Sequence, residues 1–203
     1  MSKSFVHLHA HTEYSMLDGA AKIQTYIDRV KELAQPAAAI TDHGNLYGAL
    51  EFYNIAKKNG VKPIIGYEAY ITTESRFERP DRDKNKRFHL TLLAENNEGY
   101  WNLVSLASKA FTDGYYYKPR LDYELLREHS KGVIALSGCL GGEIAQHLAP
   151  DGSVEEGNNQ GERSYQKALD KAVLYQNIFG EENFYIELHN HGIKQQELIL
   201  PDL

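Results

Sequence analysis

The chain has 203 residues, of which 42% are hydrophobic and 25% charged, with one cysteine and a formal net charge of −6. This globular composition predicts one well-buried domain, residues 1–203, and excludes intrinsic disorder, an intramolecular disulfide and nucleic-acid binding by net charge alone. We expect no membrane span and no secretory signal, because no apolar run is long enough, and the lone thiol favours a reducing cytoplasm.

Short apolar runs alternate with longer segments of helical periodicity, as in Ile23, Ile27 and Val30. Such alternation predicts parallel crossovers, in either a doubly wound sheet or most of a (β/α) barrel. Two polar segments, 74–88 and 150–161, are predicted as loops, the first either solvated or close to a phosphate backbone. The predicted strands are 5–8, 37–41, 61–71, 88–94, 132–138 and 183–188, and the predicted helices are 22–34, 46–60, 97–111, 141–149 and 162–179.

The end of the first predicted strand and the residues after it place histidines at alternate positions, His7, His9 and His11, in the segment FVHLHAH. Residues two apart in a strand share a face, so the three imidazoles are expected to project together. Such crowding indicates a shared divalent cation, and zinc is typical of imidazole ligands. The alternative is that one or two of them are hydrogen-bonded core histidines.

Other candidate ligands follow the rule that chemistry collects at the carboxyl ends of parallel strands. Asp42 and His43 follow the second predicted strand, and Glu68 lies late in the third. Cys139 follows the fifth strand, whereas His89 is an exception because it opens its strand. His189 and His191 follow the last strand.

Several of these residues have a structural alternative. Asp42 either caps the next helix, ligates a metal or orients an imidazole, and Asp18 is either a cap or an oxygen ligand. Cys139 is either a small buried hydrophobe or a thiolate on zinc. Glu68 lies in an apolar strand, where a buried carboxylate requires a cation or several donors. Together these nitrogen, oxygen and sulfur donors predict a metal-dependent hydrolase, of phosphoesters in particular.

Five segments, taken in order, resemble one family: FVHLHAHTEYSMLDGAAK, ITDHGNLYGALEFY, KPIIGYEAYI, FHLTLLAENNEGYWNL and GVIALSGCLGGEI. They are similar to the polymerase and histidinol phosphatase (PHP) domain at the N-terminus of bacterial replicative DNA polymerase III alpha subunits. The similarity extends from Phe5 to about Gly192. It implies an α/β fold, the distorted (β/α)7 TIM-like barrel of the PHP type. It also implies a cluster of up to three divalent metal ions, most often zinc, with manganese as the alternative.

The resemblance implies a metal ligand at each residue that matches a ligand position of the family, with Glu68 as a carboxylate that bridges metal ions. The implied catalytic residues are His9, His11, His43 and Glu68. His7, Asp42 and His191 become supporting neighbours, and His189 is expected near the site. The full implied ligand set is His9, His11, Asp18, His43, Glu68, His89 and Cys139.

The resemblance implies 3′–5′ exonuclease or related phosphoesterase chemistry on the 3′ primer terminus of DNA. The parent protein would be a DNA-directed DNA polymerase that binds the other subunits of the replicative holoenzyme. The sequence departs from the family in lacking a late Asp-x-His metal motif and the palm, thumb, fingers and clamp-binding regions. We therefore expect a truncated domain with an incomplete barrel. The alternatives are a stand-alone phosphatase of small phosphomonoesters and a non-catalytic structural module of the polymerase.

Overall fold

The computed structural model describes residues 5–81, 86–150 and 163–203, so residues 82–85 of the predicted charged loop and 151–161 of the predicted polar loop lie outside it. Within the described residues, one mixed sheet is packed against helices. Its strands are β1 (Ala37–Ile40), β2 (Lys62–Ile71), β3 (Phe88–Ala94), β4 (Arg120–Leu121), β5 (Val133–Leu136) and β6 (Phe184–Tyr185). The helices are α1 (Ile23–Glu32), α2 (Ala49–Lys58), α3 (Asn97–Thr112), α4 (Tyr123–Glu128), α5 (Glu143–Leu148), α6 (Tyr165–Phe179) and α7 (Lys194–Ile199), which a 3₁₀ turn at Leu200–Asp202 follows.

The strand order is β1-β2-β3-β5-β6, and the short β4 pairs with β2. β2 is the longest strand, and it pairs with β1 through its first half and with β3 through its second half. Gly66 lies where the pairing changes, and a Cβ there would meet the carbonyl oxygen of Leu92 at 2.3 Å. Since β1 and β6 lie at opposite ends of this order, the sheet is open in the described part of the chain. This agrees with the expected α/β barrel that is incomplete.

The prediction that all strands run parallel is wrong for β3, which pairs antiparallel with both β2 and β5. No crossover helix joins β2 to β3 among the described residues, so the chain returns in the opposite direction. The first residues of β3 therefore lie at the same end of the sheet as the carboxyl ends of β1, β2 and β5. This direction explains why His89, which opens its strand, does not violate the rule on strand ends.

The predicted first strand, residues 5–8, is extended but does not form a regular strand. Its partner is β1 with the residue that follows it, because Ala39 N donates to His7 O (3.2 Å) and Thr41 N donates to Ala10 O (2.8 Å). The segment therefore lies along the outer edge of β1. β4 and α4 were missed from the sequence, because a two-residue strand has no periodicity to detect.

The helices are amphipathic and bury one face against the sheet. Ile23, Ile27 and Val30 of α1 are buried, as their spacing predicts. A separate apolar layer of Ala39, Leu93 and Leu136 lies on the face that a closed barrel would enclose. In the described residues, no helix has the length and apolar character needed to cross a membrane.

Candidate metal centre

The buried carboxylate of Glu68 is the centre of the candidate site. Glu68 has no exposed surface and lies in the second half of β2. Its backbone is fixed beside the loop that follows β1, because Gly44 N donates to Glu68 O (2.8 Å) and Glu68 N donates to Asp42 O (3.0 Å). These bonds bring Glu68 next to His43, as residues at the ends of neighbouring parallel strands.

Four imidazoles approach the two oxygens of Glu68. On Oε1, His9 Nε2 lies at 3.2 Å and His89 Nδ1 at 2.9 Å. On Oε2, His43 Nδ1 lies at 2.5 Å and His11 Nε2 at 3.6 Å. The structure thus brings together, around one carboxylate, residues from separate segments of the chain, with His9 and His89 80 positions apart.

The loop after His11 is held in place by Asp42, which is 1% exposed. Its carboxylate accepts hydrogen bonds from Thr12 N (2.6 Å), Thr12 Oγ1 (2.8 Å) and Ser15 Oγ (2.8 Å). Ser15 Oγ in turn accepts from His43 N at 3.1 Å. Asp42 therefore holds the backbone that carries His11 and His43, and its supporting role at a metal site stays a prediction.

Cys139 reaches the cluster from the loop after β5. Its Sγ lies 3.7 Å from Glu68 Oε1 and 3.6 Å from His89 Nδ1. The backbone of His89 donates to Gly141 O at 2.8 Å, and Gly141 N approaches Cys139 Sγ at 3.4 Å. The antiparallel start of β3 and the turn after β5 are thus joined directly at the site.

Asp18 approaches from the opposite side, in a turn where its backbone N donates to Ser15 O (3.0 Å). Its Oδ2 lies 2.8 Å from His43 Nε2, and its side chain is 58% exposed. Both ring nitrogens of His43 therefore face carboxylates, Asp18 on one side and Glu68 on the other. Asp18 marks the solvent-facing edge of the cluster.

Glu187 is a site residue that the sequence reasoning missed. Its Oε1 lies 2.8 Å from His9 Nδ1 and 2.7 Å from His189 Nε2, and its backbone N donates to Ser137 Oγ at 2.9 Å. The signal was present, because Glu187 and His189 alternate just beyond β6 as His9 and His11 do in the first segment. Like Glu68 in β2, a mainly buried glutamate after an apolar run requires a cation or several hydrogen-bond donors.

Two predicted supporting histidines lie at the margin. The His7 ring packs edge-on against Phe5, with centroids 4.9 Å apart. His191 contacts α7, where its backbone N donates to Gln196 Oε1 at 2.8 Å. Its ring is 5.3 Å from that of His189, so it reaches the cluster only through that histidine. Supporting roles for His7 and His191 stay predictions.

The charges of the cluster are strongly coupled. Burial alone would raise the pKa of Glu68, but the imidazoles of His43, His89 and His9 hold it well below its usual range. Burial opposes the charged form of His9, yet contacts with Glu187 and Glu68 raise its pKa to about 9. Burial likewise opposes protonation of His89, and Cys139 and Glu68 raise its pKa to about 9. Without a cation, protons on these imidazoles compensate the buried carboxylate.

The pKa values of two other histidines in the cluster shift in opposite directions. Burial lowers the pKa of His11, which lies among other imidazoles, whereas the pKa of His43 is raised because Glu68 and Asp18 outweigh its burial. Burial would raise the pKa of Glu187, but His189 and His9 lower it to about 2. The carboxylates are therefore ionised at neutral pH and able to bind a cation.

The donor set fits divalent metal. His43 Nδ1 and Glu68 Oε2 are buried and lie 2.5 Å apart, but they are not aligned for a hydrogen bond in the described residues. A buried nitrogen and a carboxylate oxygen this close without an aligned hydrogen bond are suited to sharing a cation. The described side chains form overlapping groups of donors, all within 4.8 Å of one another, that suit a metal ion: His9 with His11 and Glu68, His43 with Glu68 and His89, and His9 with Glu187 and His189.

Known proteins are similar to this chain in sequence and in fold. The family of the PHP domain matches residues 7–191. DNA polymerase III subunit alpha of Helicobacter pylori is 48% identical over 98% of this chain, and that of Thermus aquaticus is 51% identical over 96%. The chain spans only about 16% and 15% of the lengths of these two relatives. A solved structure from Bifidobacterium adolescentis, named as a metal-dependent phosphoesterase, is 15% identical to this chain and has a TM-score of 0.53. The match covers 98% of this chain and 83% of the chain in that structure, which shows a shared fold.

Proposed function

Because this chain belongs to the PHP domain family, we propose that it is the PHP domain of a bacterial DNA polymerase III alpha subunit and that its cluster hydrolyses DNA phosphodiester bonds at a 3′ end. One observation carries the proposal of hydrolysis: a fully buried glutamate, Glu68, is surrounded by four imidazoles and a thiol. A module that only supports a polymerase has no need of so costly a group of buried polar side chains.

We propose that the cluster holds divalent metal, with zinc favoured because nitrogen and sulfur donors predominate and manganese as the alternative. When bound, divalent cations acidify an attacking water and neutralise charge on the phosphoryl oxygens. Glu68 is the proposed bridging carboxylate, since each of its oxygens faces different imidazoles. The proposed ligands are His9, His11, Asp18, His43, Glu68, His89 and Cys139, of which His9, His11, His43 and Glu68 are proposed as catalytic.

The chain's own residues also orient the proposed ligands. Glu187 contacts the Nδ1 of His9, which leaves Nε2 directed at Glu68. A carboxylate behind an imidazole fixes its tautomer and raises its basicity. Asp42 does not contact an imidazole in this way, but holds the loop that carries His11 through Thr12 and Ser15.

The parent protein, by the same proposal, is a DNA-directed DNA polymerase of the cytoplasm. Its partners would be the 3′ primer terminus of DNA and the other subunits of the replicative holoenzyme. These properties rest on the relatives' names, and the chain covers about one-sixth of the length of those relatives.

Digestion of a 3′-labelled single-stranded oligonucleotide tests the proposed function. The purified chain is loaded with zinc or with manganese, and its metal content is measured before the assay. Metal-dependent release of the labelled 3′ nucleotide, lost on chelation and in His11→Ala, is the expected result. Hydrolysis of small phosphomonoesters with DNA left intact would indicate a stand-alone phosphatase. A folded chain that binds metal but hydrolyses neither substrate would contradict hydrolysis as its function.

We predict that Glu187→Ala weakens metal binding by about 10–100-fold, the usual cost of losing a residue that orients a ligand. Glu187→Gln should restore part of the affinity, because an amide oxygen still accepts a hydrogen bond from His9. Isothermal titration with zinc measures the change. Glu197→Gln, an exposed glutamate on α7, is the control and should bind zinc normally. Unchanged affinity in Glu187→Ala would contradict the positioning role.

A further inference from the structure

A groove with a volume of 610 Å³ opens directly beside the metal centre, and Asp18, His43 and His89 form one end of it. This volume lies within the range of about 300–1,000 Å³ that is typical of ligand sites. Six of the thirteen other lining residues are aromatic. We call four of these side chains the groove aromatics: Tyr47, Phe111, Tyr115 and Tyr117.

The groove aromatics are largely exposed, although they lie side by side. Tyr47 is 66% exposed, Tyr115 53% and Tyr117 54%. The Phe111 ring lies 6.3 Å from that of Tyr47 and 6.0 Å from that of Tyr115, and the rings of the second pair are nearly parallel, at 19°. Exposed apolar surface that is contiguous, rather than scattered, is typical of a binding site.

The backbone at Tyr117 is in an unusual conformation. Its φ is +60°, in the left-handed region that a bulky residue rarely adopts, within a tight turn where Tyr116 N donates to Lys118 O at 3.0 Å. This conformation costs about 1–3 kcal/mol, and such costs are concentrated at functional sites. A glycine would form the same turn without strain. The tyrosine at this position instead adds a side chain to the groove wall.

Cations complete the groove. Lys118 Nζ lies 5.3 Å from the centre of the Tyr70 ring, and Arg87 also lines the groove. The Tyr70 ring is also 6.1 Å from that of His43 and 5.3 Å from that of His89, so one ring contacts both Lys118 and two imidazoles of the metal centre. The lining therefore combines aromatic faces with two positive charges, and its carboxylate, Asp18, is a proposed metal ligand.

We propose that this groove binds the unpaired bases next to the scissile phosphodiester of a DNA strand by stacking them on the groove aromatics, with Arg87 and Lys118 on the phosphates. The inference rests on the proposed function and specifies its substrate as an unpaired end. Aromatic faces beside cations form the usual surface for single strands, because every base has a face to stack. Paired bases within a duplex are stacked on each other and offer no such face.

Binding of a fluorescent oligodeoxythymidine of about ten nucleotides to the chain, measured by anisotropy with and without chelator, tests this proposal. An abasic strand of equal length is the matched probe, because it keeps the phosphates and lacks the bases. Tyr47→Ala and Tyr115→Ala should each weaken binding of the oligonucleotide by about 5–150-fold, the range for loss of one stacked base. Tyr47→Phe and Tyr115→Phe should restore binding, and Trp101→Ala, another exposed aromatic on α3, should have no effect.

Three results would overturn the proposal: equal affinity for the abasic strand, unchanged binding in both alanine variants, or no binding of either strand. The last result would suit a groove that a protein partner covers. Failure of this proposal can be distinguished from failure of the proposed function, because anisotropy measures binding and does not depend on hydrolysis. Stacking without any release of nucleotides would support the groove and contradict the hydrolytic function. Release of nucleotides that the alanine variants do not change would support the function and contradict the groove.

Discussion

Glu68→Gln is expected to weaken zinc binding by more than about 100-fold, beyond the effect of losing a residue that only orients a ligand. The physical reason is that Glu68 faces His9 and His89 with one oxygen and His43 and His11 with the other. Glutamine keeps the size of the side chain but removes its charge and replaces one oxygen with a donor. Isothermal titration and metal analysis after dialysis measure the loss.

Glu143→Gln is the matched control, since Glu143 is 1% exposed and its carboxylate also lies in a polar network. Its carboxylate accepts hydrogen bonds from Tyr123 and Tyr175 and lies 2.7 Å from Lys171 Nζ, in a cluster between α4, α5 and α6. This substitution should lower the free energy of unfolding by about 3–5 kcal/mol, as expected when a buried ion pair is broken. Its zinc affinity should not change. Tight zinc binding in Glu68→Gln, or an equal loss in both variants, would contradict the proposed bridging role.

The metal-free chain is expected to lose stability, and to gain metal affinity, as the pH rises from about 6.5 to about 9. His9 and His89 have folded pKa values of about 9, above the ordinary 6.5, because carboxylates, and for His89 also Cys139, outweigh their burial. Groups with raised pKa values stabilise the fold fully below pH 6.5, and that contribution disappears as the pH rises through 9. Metal requires the neutral imidazoles, so protons compete with it over the same range.

Urea unfolding of the chelated chain and zinc titrations across this pH range measure the two opposite trends. Apparent zinc affinity should rise about tenfold per pH unit for each proton displaced, and so about a hundredfold per unit for two imidazoles. His129→Asn alters a histidine at the end of α4, remote from the cluster, and should leave both trends unchanged. A zinc affinity that is constant between pH 6.5 and 9 would show that these imidazoles are not protonated in the metal-free chain.

The ligand-bearing segments were predictable because their chemistry is local. Alternation of His9 and His11 and a carboxylate within the apolar run around Glu68 are visible in one strand's length of sequence. His43 follows a buried run, and Cys139 follows another. The family resemblance ordered these segments, and the structure brings them to one end of the sheet, although their ligand roles stay proposals.

Other features were not predictable, because they depend on how distant segments pair. The reversed direction of β3 places His89 at the site, and only pairing with both β2 and β5 reveals it. Glu187 was overlooked since it follows a strand of only two residues, and one of its two histidine contacts, His9, is 178 positions away. The groove aromatics come from loops and a helix end whose approach has no periodic signal.

The sequence by itself determined the kinds of donor, their order along the chain and the strand ends that carry them, because residue chemistry and strand periodicity are local properties. Only the tertiary structure decided that one carboxylate, Glu68, is shared by four imidazoles and that a second, Glu187, contacts one of them. It also decided that an aromatic groove opens beside them. These relations depend on strand direction and on backbone hydrogen bonds between segments far apart in the chain, which no local pattern specifies.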